Sequence, residues 1–129
     1  MVREEEIKII RDRSLRMLRA ARYHLRLGDY DLAAFMAEQA AQLFIKYRIL
    51  ELTGEIPRSH TIRELLGILG SIVSNEKEVR EFIRKKRSLI IRLEDAYIAS
   101  RYLFRKYEKE ESEELVDFAE EVIRFVENL

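Results

Sequence analysis

The stretch DAYIASRYLFRKY, residues 95–107, interleaves the cations Arg101, Arg105 and Lys106 with the aromatics Tyr97, Tyr102, Phe104 and Tyr107. A guanidinium is a planar fork that matches a phosphate, and a tyrosine ring offers a face on which a base can stack. That combination suits contact with a nucleotide or RNA. The same residue types also serve where a long helix leaves its bundle, with the ring buried and the hydroxyl wet. His60 is a second candidate, because it stands just before a helix start, where it can donate to a phosphate oxygen or act as an acid or base near neutral pH. A third is the line Glu38, Gln42 and Lys46 at four-residue steps, which is either a solvated helix face or one wall of a functional groove. His24, between Tyr23 and Leu25, reads as a half-buried helix residue.

The rest of the sequence narrows the chemistry. Without cysteine there is no thiol nucleophile, disulfide or cysteine metal site, and two separated histidines argue against a histidine-rich one. No glycine-rich phosphate loop ending in Gly-Lys occurs, and no Ser–His–Asp arrangement follows from the spacing. The runs EEE at 4–6 and EKEESEE at 108–114 read as solvated helix ends, favoured near an N-terminus by the helix dipole. No catalytic residue, metal or cofactor is assigned.

These candidates need helices to position them. With 129 residues, 47% hydrophobic, 37% charged, four Gly and one Pro, the chain reads as one packed helical domain spanning residues 1–129. Ile7, Ile10, Ser14, Leu18, Ala21 and Leu25 form one stripe on a first helix, stopped at Gly28. Asp29 or Asp31 caps a second helix, in which Ala33, Ala34, Ala37, Ala40 and Ala41 admit close neighbours and which Gly54 ends. Thr61 and Glu64 form a capping box for a short third helix ending near Gly70. A long fourth helix starts at Asn75 and carries Val79, Phe82, Ile83, Leu89, Ile90, Leu93 and Tyr97 inward; a fifth begins near Ser112. The expected fold is an all-α, up-and-down bundle of four to five antiparallel helices.

Charge is zero overall but segregated: residues 1–27 hold eight basic and four acidic side chains, residues 84–106 eight and two, and residues 107–129 two and nine. Such asymmetry steers anions or self-association, or pairs off between neighbouring helices. Abundant Glu and Arg beside two Asn and two Gln resemble a thermophile composition. With no signal-peptide core and no apolar run of about 20 residues, the expected location is cytoplasmic.

The order of AARYHLRLGDYDLAAFMAEQAAQLFIKYRIL, TGEIPRSHTIRELLGIL and DAYIASRYL, over roughly residues 10–105, resembles the HEPN domain family. The resemblance is carried by Gly28, Tyr30, Ala33, Ala37, Glu38, Gln39 and Ala40 in the helical hairpin, by His60 and Leu65 in an H-x-x-x-x-L segment, and by Ser100, Arg101 and Tyr102 in a terminal S/A-R-Y. It implies a homodimer working beside a minimal nucleotidyltransferase in a toxin–antitoxin, defence or RNA-processing system, with nucleotide or RNA as ligand; the lack of a long apolar run leaves no membrane to be expected as a partner. Nuclease members of the family use an Arg followed by four to six residues and a His. Here the corresponding positions after Arg101 are Lys106, Tyr107 and Glu108, and Leu103 replaces the usual Pro, so the fourth helix is expected to run on. The expectation is a ligand-binding domain using Arg101, Tyr102, His60 and Lys46. The alternatives are a metal-independent ribonuclease with an atypical base such as His60, or a purely structural partner subunit.

Overall fold

The computed structural model describes residues 4–102 and 105–129, and the side chains of all of these except residues 99–102. Its elements are α1 (Glu4–Leu27), α2 (Tyr30–Thr53), α3 (Ile62–Ile72), α4 (Glu76–Lys85), α5 (Arg87–Tyr102) and α6 (Lys109–Glu127), an all-α bundle. No helix of the described residues is long and apolar enough to cross a membrane.

A two-residue turn joins α1 to α2. Gly28 adopts φ 85°, a left-handed conformation that costs a glycine little, and Asp29 N donates to His24 O at 2.9 Å, satisfying a carbonyl at the helix end. Asp29 occupies the cap position without a side-chain capping bond; its carboxylate meets His24 Nδ1 at 3.0 Å instead. The half-buried His24 is thus part of the turn.

α2 is the centre of the bundle, packed against α1, α3, α5 and α6. Ala33, Ala34, Ala37, Ala40 and Ala41 are fully buried, and their small side chains let backbones approach from several sides. Buried Ser14 of α1 donates to Ala40 O at 2.8 Å, and Ser112 of α6 donates to Tyr30 O at 2.8 Å. Each hydroxyl ties a neighbour to α2 without leaving a polar group unpaired in the interior.

Three boundaries differ from those read in the sequence. α3 runs through Gly70 to Ile72. The lack of a side chain at Gly70 serves packing, since a Cβ there would lie 2.8 Å from Val79 Cγ2. The long fourth helix is divided at Lys86 (φ −107°, ψ 17°) into α4 and α5. The two segments serve different neighbours: Phe82 of α4 stacks on Phe118 and Phe125 of α6, whereas Ile90, Leu93 and Ala96 of α5 enter the core beside α2. The last helix begins at Lys109, three residues before Ser112. Whether the chain stays helical beyond Tyr102 falls on Leu103 and Phe104, outside the described residues.

Candidate functional site

α2 alone cannot expose its polar line, because the helix is enclosed on several sides. Glu38 is 0% exposed and Gln42 6%, so the solvated-face reading fails for both. Both Glu38 oxygens accept hydrogen bonds: Oε1 from Gln39 Nε2 at 2.7 Å and Oε2 from Gln42 Nε2 at 2.8 Å. Gln42 Oε1 accepts from Lys46 Nζ at 3.0 Å, and Lys46 Nζ also reaches His60 Nδ1 at 3.2 Å. A directed chain therefore runs from a carboxyl in the core, through an amide and an ammonium, to an imidazole at the surface.

The direction of that chain fixes the imidazole. An ammonium has only donors, so in the neutral ring His60 Nδ1 is the acceptor of this contact and Nε2 the nitrogen that bears hydrogen. The 3.4 Å approach of Nδ1 to Gln42 Oε1 then places two acceptors around one ammonium. His60 is exposed, and its ring lies parallel to Tyr97 of α5, with centroids 6.3 Å apart and planes 9° from each other. Tyr97 in turn lies 6.5 Å from the Phe35 ring of α2. The exposed His60 ring thus lies beside aromatic surface.

The loop that carries His60 is held from both sides. The Thr61 side chain accepts from Glu64 N at 3.3 Å, which caps α3, and Ser59 Oγ donates to Glu64 Oε2 at 2.5 Å. α3 is pinned to α5 by Arg63, whose backbone N and side-chain Nε donate to Glu94 at 2.9 and 3.0 Å. The Glu94 side chain is only 10% exposed. The short connection between α2 and α3 therefore fixes His60 over the end of the α2 chain.

The electrostatics follow from burial. Desolvation pushes the Glu38 carboxyl up to about 7, against the bonds from Gln39 and Gln42; the charge of Glu94 raises it further and Lys46 lowers it. Lys46 is lowered from the ordinary lysine range, chiefly by its own burial, with Glu38 acting in the opposite sense. Arg63 is held above its ordinary value by its bond to Glu94.

Of the sequence candidates, the fold joins Lys46 and His60 directly. Arg101 and Tyr102 close α5, so Arg101 stands one helical turn after Tyr97, but their side chains lie outside the described residues. Arg105 belongs elsewhere: it pairs with Glu111 and lies 4.0 Å over the ring of buried Tyr107. Lys106 is exposed. The basic and aromatic stretch thus divides into a part facing this site through Tyr97 and a part that ties the connection to α6.

Glu38 and Gln42 carried a readable signal, since a polar pair on a helix that is apolar all round cannot all be solvated. Glu94 and Arg63 carried none, because they pair across 31 positions. A surface depression of about 710 Å³ on α1 is lined by Ile9, Asp12, Leu15, Arg16 and Arg19, none of them buried. Among the described residues, no group of three or more His, Asp or Glu side chains is arranged to hold a metal ion.

Against this geometry stand the comparisons with known proteins. The family model described as HEPN domain matches residues 7–129, nearly the whole chain. No curated protein and no solved structure matches.

Proposed function

This chain belongs to the HEPN domain family, and from that premise we propose that it binds a nucleotide or RNA through phosphate at the His60 rim. His60 Nε2–H and the Lys46 ammonium contact phosphate oxygens, and Arg101 and Tyr102 join them as further ligand contacts. The observation that carries this reading is the 3.2 Å contact between Lys46 Nζ and His60 Nδ1, which joins two candidates from separate elements beside an aromatic ring. The domain works as a homodimer with a minimal nucleotidyltransferase partner, in a toxin–antitoxin or defence system.

The binding reading is favoured over the ribonuclease one by the same contact. The His60 Nδ1 lone pair is engaged by the Lys46 ammonium, which leaves it less available to take a proton from a 2′-hydroxyl.

Calorimetric titration with ATP and with a short single-stranded RNA tests the proposal. Wild type binds at least one of them, and Lys46→Ala, His60→Ala and Arg101→Ala each weaken that binding about tenfold, as expected for loss of a charge-assisted hydrogen bond of about 1.5 kcal/mol. Absence of binding by wild type, or equal binding by all three variants, overturns it. Light scattering on the same samples reads the dimer as twice the 15.5 kDa chain mass.

A further inference from the structure

We propose that Glu38 is a proton-operated counter-charge for Lys46: when Glu38 takes up a proton, the Lys46 ammonium is handed over to a phosphate bound at the His60 rim. The inference rests on the binding reading above and assigns a regulation to that site.

The geometry supplies the coupling. Glu38 is fully buried, and only one amide, Gln42, separates its carboxylate from the Lys46 ammonium. While Glu38 is charged, Lys46 is satisfied from within, and an incoming phosphate must compete with a carboxylate for the same cation. Once Glu38 is neutral, the ammonium has no internal counter-charge and the rim gains one unit of positive charge.

Burial of Glu38 favours that proton uptake most, the negative charge of Glu94 of α5, itself held by Arg63 of α3, adds to it, and Lys46 of α2 opposes it. A change in the charge around Lys46 therefore bears directly on the protonation of Glu38. Linkage makes the effect reciprocal: phosphate drawn to Lys46 removes the cation that stabilises charged Glu38, so binding takes up a proton from solvent.

The test uses a 5′-hydroxyl RNA hexanucleotide, whose phosphodiesters do not titrate between pH 6 and 8. Wild type binds it roughly three- to tenfold tighter at pH 6 than at pH 8, the effect of one unit charge near a protein surface. Calorimetry in buffers of differing ionisation heat shows proton uptake on binding near pH 7. In Glu38→Gln the affinity at pH 8 rises toward the wild-type value at pH 6, and the pH dependence of binding is flattened. The ligand-free carbon-13 titration of the Glu38 carboxyl is a second readout that needs no variant: its midpoint lies near neutrality, and the Lys46 Nζ resonance moves with it. Titration in the ordinary carboxylate range, or equal pH dependence in wild type and Glu38→Gln, overturns this inference alone. Failure of wild type to bind RNA or nucleotide at any pH removes the binding reading on which it rests.

Discussion

Glu38 and Glu120 are the same side chain on two helices that pack together, and their surroundings drive them in opposite directions. Glu38 is enclosed by α2 and its neighbours, accepts from two neutral amides, and is pushed up to about 7 by desolvation. Glu120 stands at the rim of the seam between α1 and α6, where Arg22 Nη2 donates to it at 2.5 Å and the same guanidinium reaches Asp117 at 3.1 Å. That bond holds Glu120 below the ordinary carboxylate range, and the charge of Arg124 adds to it. Glu38 loses water and meets only neutral donors, whereas Glu120 keeps much of its water and faces a cation as well. The interior chain is therefore poised to titrate near neutrality, and the seam is a fixed ion pair.

The widest separation between the two regions lies in the pH dependence of stability. Because Glu38 has a higher proton affinity folded than unfolded, its contribution is full below its ordinary value of 4.5 and is lost as pH rises through about 7. A shift of this size corresponds to about 3 kcal/mol. Urea denaturation at pH 4.5 and pH 8 should show wild type losing stability of that order relative to Glu38→Gln across the window; parallel curves for the two proteins would break the contrast. Glu120 acts with the opposite sign: its contribution is present above its ordinary value and is lost as pH falls through its lowered folded value.

Removing Arg63 sharpens the comparison from a second side. Arg63→Ala strips Glu94, almost wholly enclosed, of its guanidinium partner and leaves it the backbone donor of residue 63, at an expected cost of about 1–3 kcal/mol for an under-satisfied buried charge. The titration midpoint of Glu38 should rise as well, since Glu94 then faces it without a guanidinium. A midpoint that does not move would show the α3–α5 clamp to be electrically independent of the interior chain.

The smallest effect belongs to the seam. Arg22→Ala should cost less than about 1 kcal/mol, and the loss should shrink in 1 M salt, because Arg22 and its partners are partly solvated. A larger, salt-insensitive loss would place this pair in the same class as Glu38.

Much of the bundle was legible because helices obey local rules. Gly28 and Gly54 end α1 and α2 in the left-handed conformation that favours glycine, and Thr61 caps α3 through Glu64 N. The division at Lys86 was not legible, since the residues around it carry no Gly or Pro; it becomes clear once Phe82 is seen to stack on α6 while α5 turns to α2. The run through Gly70 was misread for a related reason: glycine there answers a neighbour, Val79, and not a helix end.

The sequence by itself determined the helical class, most of the helix ends and the absence of cysteine chemistry, because periodicity, capping and side-chain type are properties of short stretches. It also held Glu38, Gln42 and Lys46 at fixed four-residue steps. Only the tertiary structure decided that this line is an interior chain, that it ends on His60, and that Tyr97 lies beside that ring. The physical reason is that burial and cross-helix contact are properties of neighbours. α2 is wrapped by four other helices, and that enclosure turns an ordinary surface triplet into a carboxyl poised near neutrality beneath an exposed imidazole.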